Sequence, residues 1–288
     1  MINYLELFEK SKKLANELEL TQLELYQRFM FERILERISV SKYRDNFILK
    51  GGLLLSAMFG MDSRSTRDMD ISIKGIDVAK EKMIQVLNEI LSIELDDSVK
   101  FEILTITDIR EEDEYGGNKY HLVGKLENLK VTLEIDISTG DQITPKELKF
   151  EYDSLFENKK IYIDSYNIET ILAEKIETIL RRGRFNARMK DFYDVYFFLK
   201  NLNSEINFNI FKEALNNTLA NRDAFEYYND YEQILDEILN DDRMNDYWST
   251  YIKKNKYARN IDFKDIINML IKFINDTKIF YSSDNIKD

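Results

Sequence analysis

Apolar residues along this 288-residue chain change spacing as the chain proceeds, and each change predicts a new element. Over Tyr4–Leu18 and residues 21–38 they recur every three or four positions, which gives a helix one apolar face. Thr21, with Glu24 three residues later, predicts a capping box at the start of the second helix. Residues 47–49 then predict a strand, Gly51–Phe59 a helix, and residues 69–73 another strand. Residues 77–91 return to helical spacing. Residues 101–109, 120–126 and 130–137 alternate or are rich in β-formers, and they predict three further strands. Between the first two of these, residues 111–118 (EEDEYGGN) read as an acidic loop. The run 138–145 (STGDQITP) is rich in turn formers and predicts the end of the sheet. Beyond Asn167 every long segment has helical spacing. The expected fold class is α+β: a lobe over residues 1–160 with leading helices and a mixed sheet, then an α-helical lobe over residues 161–288.

The strongest chemistry lies at residues 47–73. An apolar run ends in Lys50-Gly51-Gly52, a helix follows, and after fifteen intervening residues comes Asp68-Met69-Asp70. Glycines let a backbone approach a ligand closely, and a helix opening there points free N–H groups at an anion. In a strand, residues i and i+2 share a side, so Asp68 and Asp70 project together. Two adjacent carboxylates repel unless a cation lies between them, and an all-oxygen site suits Mg²⁺ or Mn²⁺. A phosphate cradle beside a divalent metal is what nucleotidyl transfer requires, because that chemistry is mostly positioning and charge neutralisation. Either motif alone is weak, since most Gly-Gly pairs are turns and most Asp-x-Asp pairs are solvated. The order and spacing together favour the functional reading.

These residues resemble the core signature of the polymerase-beta-like nucleotidyltransferase superfamily. Lys50 and Thr66-Arg67 are similar to one branch of it, the AbiEii/AbiGii nucleotidyltransferase toxins of bacterial abortive-infection (phage-defence) systems. Leu172-Ala173-Glu174-Lys175 and Lys190-Asp191-Phe192-Tyr193-Asp194 resemble that branch's later helices, in the same order. The resemblance spans roughly residues 50–200. It implies that Asp68 and Asp70 hold a catalytic Mg²⁺ or Mn²⁺. It also implies that Lys50, Gly51, Gly52 and Arg67 bind a nucleoside triphosphate. Lys175 and Asp191 are implied as active-site residues from the second lobe, facing the first across a cleft. Lys175 would contact the triphosphate, and Asp191 would orient or deprotonate the attacking hydroxyl, or hold Lys175. Read along its own helix, Lys175 is a solvated lysine, since Glu174 and Glu177 stand at i−1 and i+2, where neither can pair with it. Asp194, three residues after Asp191 on the same helix face, either supports Asp191 or is a favourable charge near the helix N-terminus. The acceptor implied is tRNA, and the partner implied is a cognate antitoxin. The chain departs from the pattern in two places. The gap before Asp68 is long, and Leu53 stands where many relatives carry a hydroxyl.

Many members of the superfamily need a third carboxylate, from a strand beside Asp-x-Asp. In residues 133–137 (LEIDI), Glu134 and Asp136 lie on one face and the aliphatic residues on the other. Asp136 is the candidate metal ligand. The alternation alone leaves open which face meets the site.

Composition narrows the possibilities. Hydrophobic residues at 44% and charged residues at 33% describe a globular chain with ample core. There are no cysteines, and His121 is the only histidine, so Cys-based and multi-His metal sites are excluded. His121 reads as a strand residue, and acid–base work falls to carboxylates, Lys or Tyr. No apolar run is long enough to span a membrane, and the amphipathic start of the chain is unlike a secretory signal, so a cytoplasmic protein is expected. A net charge of −12 argues against general nucleic-acid binding. Local basic clusters remain. Arg181, Arg182, Arg184, Arg188 and Lys190 favour a triphosphate or RNA-backbone role; Lys253, Lys254, Lys256 and Arg259 suit that or a solvated helix end. Two alternatives to a tRNA-modifying toxin stay open: a nucleotidyltransferase acting on a small molecule or protein, and a catalytically silent nucleotide-binding module.

Overall fold

The computed structural model describes residues 2–60, 66, 68–77, 79–108, 117–139 and 142–277. The chain divides into two compact units, Met1–Asp141 with Glu147–Tyr166, and Gln142–Lys146 with Asn167–Asp288.

The first unit opens with α1 (Tyr4–Leu18) and α2 (Gln22–Val40). The predicted capping box at α2 is present. Thr21 Oγ1 accepts from the Glu24 N–H at 3.2 Å, and Glu24 accepts from the Thr21 N–H at 2.8 Å. Then come β1 (Phe47–Lys50), α3 (Gly51–Phe59), β2 (Asp68–Ile73), α4 (Lys80–Leu91), β3 (Val99–Asp108), β4 (Gly117–Leu126) and β5 (Leu129–Ser138). Helix α4 starts three residues later than its pattern suggests, because the Asp77 carboxylate accepts the Ala79 N–H and closes a turn ahead of it.

The expectation that the sheet ends at residues 138–145 is corrected. Two more strands follow, β6 (Leu148–Asp153) and β7 (Lys160–Ser165). The turn formers do mark a departure, since residues 142–146 belong to the second unit, but the chain then returns to the sheet. The seven strands run β3-β4-β5-β2-β1-β7-β6. Strand β2 is parallel to β5 and β1 is parallel to β7, while the other neighbours are antiparallel, so the sheet is mixed.

One face of this sheet is apolar. Met69, Ile71, Tyr120, Leu122, Val131, Leu133, Ile135 and Ile137 are buried on it. Each such side chain contributes roughly 1.5–3 kcal/mol of burial free energy. Helix α2 packs against β5 and β7 and also touches α4. Its approach to the sheet is close at Gly124 of β4, where a Cβ would lie 2.8 Å from Met30 Sδ. Two buried ionic groups fix α2. Arg37 makes a bidentate pair with Asp97 at 2.6 and 2.9 Å and also donates to the Val99 carbonyl. Glu32 accepts from Ser154 Oγ and the Leu155 N–H. Burial nonetheless raises the Glu32 pKa above the usual carboxylate value.

The second unit is helical: α5 (Ile168–Arg182), α6 (Met189–Asn201), α7 (Phe208–Asn221), α8 (Phe225–Asn229), α9 (Tyr231–Leu239), α10 (Asp242–Lys254) and α11 (Phe263–Thr277). Asn167 caps α5 by accepting the Thr170 N–H, and it donates to the Thr144 carbonyl, tying residues 142–146 to this unit. The aromatic stripe of α6 is mostly core, as its spacing predicts: Phe192, Tyr193, Tyr196 and Phe198 are buried. No helix among the described residues is long and apolar enough to cross a membrane.

Candidate active site

The polar face of the first unit's sheet gathers three carboxylates. The parallel register of β2 and β5 sets Asp68 opposite Glu134 and Asp70 opposite Asp136. Strand alternation puts all four on the face away from α2. One oxygen each from Asp68, Asp70 and Asp136 lies within 4.8 Å of the others. Three half-buried carboxylates this close are a poor arrangement without a cation, and their all-oxygen donor set fits Mg²⁺ or Mn²⁺. Burial, with the Asp70 and Asp68 charges nearby, pushes the Asp136 pKa up to about 6 against the pull of Lys119.

Gly51 and Gly52 begin α3 directly beside these acids. Gly51 has φ +68°, a conformation L side chains rarely adopt. A Cβ there would run into the Asp70 carboxylate. A glycine at this position is therefore required by the neighbouring Asp70 carboxylate itself. The Gly52 N–H donates to Asp70 Oδ2 at 3.4 Å, a long bond that orients the carboxylate at the helix start. Lys50, opposite Asp70 across β1 and β2, carries its ammonium 5.5 Å from the centre of the Tyr166 ring. Thr66 is buried and donates to the Asp68 carbonyl at 3.3 Å. Arg67, residues 61–65 and residues 111–116 of the acidic loop lie outside the described residues.

Lys119 is the residue that sequence reasoning missed. It faces Asp136 in the β4–β5 register, and its Nζ lies 2.8 Å from Asp136 and 3.0 Å from Glu134. Burial works against its charge, but the hydrogen bonds it donates to Asp136 and Glu134 outweigh this and raise its pKa. The signal was present: alternation in β4 puts Lys119 and His121 on one side, and antiparallel pairing sets them against Asp136 and Glu134. His121 is a strand residue as expected, with Nε2 3.2 Å from Thr107 Oγ1.

In the second unit, Lys175 of α5 lies between two acids of α6. Its Nζ is 2.7 Å from Asp191 Oδ1 and 2.8 Å from Asp194 Oδ2. Asp191 and Asp194 are one helical turn apart, which lets one ammonium reach both. All three side chains are largely buried, so Lys175 is not a solvated helix lysine. Burial disfavours the Asp191 charge, but Lys175 and Arg188 overcome it and hold the pKa below its ordinary value. In the first basic cluster, Arg181 pairs with Glu177 at 2.8 Å and Arg188 with Asp191 at 3.2 Å, so part of that charge is compensated locally.

The family model for the nucleotidyl transferase AbiEii toxin, a Type IV toxin–antitoxin system, matches residues 33–269. No curated protein matches the chain. Among solved structures, JHP933 from Helicobacter pylori superposes with a TM-score of 0.51 at 14% identity, over 90% of this chain and 93% of that one. A second H. pylori structure, of a candidate nucleotidyltransferase, gives a TM-score of 0.50 at 16% identity over 90% and 96%. At such identities the likeness shows a shared fold.

Proposed function

The chain belongs to the AbiEii nucleotidyltransferase toxin family and is a nucleotidyltransferase, and on that premise we propose that it transfers a nucleotide from a nucleoside triphosphate to an RNA acceptor, tRNA first among them. The observation that carries the chemistry is the Asp68, Asp70 and Asp136 cluster beside the Gly51-Gly52 helix start. In the reaction, an acceptor hydroxyl oxygen bonds to the α-phosphorus and gives up its proton to a carboxylate or to water, the bond from that phosphorus to the oxygen bridging to the β-phosphate breaks, and pyrophosphate leaves. Asp68, Asp70 and Asp136 would hold a Mg²⁺ or Mn²⁺, which would supply charge neutralisation to the phosphate oxygens. Backbone N–H groups at Gly51 and Gly52 and the ammonium of Lys50 orient the triphosphate.

Lys175 and Asp191 are assigned to the same reaction through the family pattern that matches them. The lowered pKa keeps Asp191 an anion at neutral pH, suited to accept a hydrogen bond from the attacking hydroxyl. Asp194, entirely buried, holds Lys175 from the other side. A cognate antitoxin is the partner that a Type IV toxin–antitoxin family implies, and the cytoplasm is the compartment where tRNA and nucleotides meet it.

The test is incubation with total bacterial tRNA, Mg²⁺ and each α-labelled nucleoside triphosphate, with Asp68→Ala as control. Label on tRNA with the native protein alone supports the reading and names the nucleotide. Label on a small molecule or protein instead would replace the acceptor. Metal-dependent nucleotide binding without any product would leave a binding module.

A further inference from the structure

Arg188 and Lys190 of the first basic cluster and Lys254 of the second line one open cleft of the second unit. It has a volume of about 620 Å³ and lies between the start of α6 and one face of α10. Arg188, Lys190 and Asp191 line it from α6, and Tyr247, Tyr251 and Lys254 from α10. That volume suits a single nucleotide-sized group. The three α10 residues are spaced i, i+4, i+7, so they form one stripe, while Met244 and Trp248 of the same helix are buried. Tyr247 is 43% exposed where it lines the pocket.

The stripe continues past the pocket. Arg243 lies one turn before Tyr247, and its guanidinium, held by Asp241, lies 5.8 Å from the centre of the Phe185 ring. Arg184 lies 5.4 Å from the same ring. Phe185 is 73% exposed, in a short 3-10 turn (Gly183–Phe185) just ahead of α6. From Arg243 to Lys254 the α10 face runs for about 16 Å. That length is several times the rise per nucleotide of a stacked strand. Exposed aromatic rings interleaved with cations are the chemistry that holds single-stranded nucleic acid, through base stacking and phosphate neutralisation. A lone triphosphate would fill the pocket and leave Phe185 with its two arginines unused.

We propose that this strip binds the single-stranded 3′ end of the acceptor RNA. One nucleotide enters the pocket against Tyr247 and Tyr251, with its phosphate at Arg188, Lys190 and Lys254, and the preceding bases stack toward Phe185. This rests on the RNA-acceptor reading above and supplies its docking surface.

The experiment is fluorescence anisotropy with a labelled single-stranded RNA hexamer bearing a free 3′ hydroxyl. The same sequence as a blunt duplex and a labelled nucleoside triphosphate serve as parallel ligands. Phe185→Ala, Tyr247→Ala and Lys254→Gln are compared with the native chain, with circular dichroism confirming that each exposed-site variant is folded. Tyr247→Ala is expected to weaken hexamer binding about ten-fold, the effect of one lost stacking contact. Lys254→Gln should lower the salt dependence by about 0.7 in the logarithmic slope. Triphosphate and duplex binding should be unchanged. Variants that bind the hexamer as the native chain does would overturn the proposal. So would variants that lose triphosphate binding alone, which would make the pocket the site of the incoming base. Transfer is read separately. Hexamer binding through the strip without label transfer defeats the acceptor reading alone, and transfer to RNA by unaffected variants defeats the strip alone.

Discussion

Lys119 Nζ lies 2.8 Å from Asp136 Oδ1, so a side-chain cation holds the one carboxylate of the Asp68, Asp70 and Asp136 cluster that comes from β5. The same ammonium reaches Glu134 at 3.0 Å, which keeps it tethered whether or not Asp136 has another partner. Lys119 would thus compete with a divalent cation placed at the three aspartates for Asp136. Two unit charges 4 Å apart interact by about 1 kcal/mol even in water. Lys119→Met is therefore expected to tighten Mn²⁺ binding about ten-fold at pH 8, measured by calorimetric titration. Unchanged or weaker binding would mean that Lys119 supports the metal-bound arrangement instead.

Asp136 also predicts a pH dependence. Its pKa is raised from 3.8 to about 6 in the fold, chiefly by burial, so the folded state binds this proton more tightly than the unfolded state. The sign follows. Above pH 6 the ionised group costs stability, and the cost is relieved as pH falls from about 6 toward 4. Asp136→Asn should raise metal-free stability at pH 7.5 by about 1–3 kcal/mol. The gain should vanish by pH 4, and nucleotide transfer should be lost at every pH. Thermal unfolding of both proteins across that range is the measurement. A variant less stable than the native chain at pH 7.5 would show that the Lys119 pair outweighs the burial.

Gly51 and Asp70 are coupled by shape. Gly51→Ala forces a side chain into positive φ, at about 1–2 kcal/mol, and drives its Cβ against the Asp70 carboxylate. The two costs separate in a double-mutant cycle. In an Asp70→Gly background the collision is gone, and Gly51→Ala should cost only the backbone term. Denaturant unfolding of the four proteins checks this. Equal costs in both backgrounds would mean that the helix start relaxes away from Asp70.

The elements around the cluster were legible because each rests on local rules. Alternation in β2 sets Asp68 and Asp70 on one side of their strand, alternation in β5 does the same for Glu134 and Asp136, and Thr21 with Glu24 announces α2 through a contact three residues long. Strands β6 and β7 were not legible. Strand β6 is a short edge strand, and β7 joins the sheet beside β1, more than a hundred residues away in sequence, a pairing no local pattern encodes. Which face of β5 met the acids was likewise a question of register with β2, not of its own sequence. Lys119 was overlooked for the same reason: its role appears only once β4 is laid against β5. In the helical unit, Lys175 looked solvated along its own helix because its partners are on the next one.

That pairing gives a prediction which separates structure from chemistry. Lys175 is the shared counter-ion of Asp191 and Asp194, whose side chains are 7% and 0% exposed. Lys175→Met leaves two buried carboxylates without it. Arg188 reaches Asp191 at 3.2 Å but is itself half-exposed, so it offsets only part of the loss. Breaking a buried ion pair from one side costs about 3–5 kcal/mol, and that is the destabilisation expected in denaturant unfolding. Adding Asp191→Asn and Asp194→Asn removes the uncompensated charge and should restore most of the stability. If Lys175 and Asp191 serve only the fold, the triple variant should transfer nucleotide nearly as well as the native chain. A catalytic role predicts the opposite: native-like stability with transfer lost, read as incorporation of α-labelled nucleotide under identical conditions.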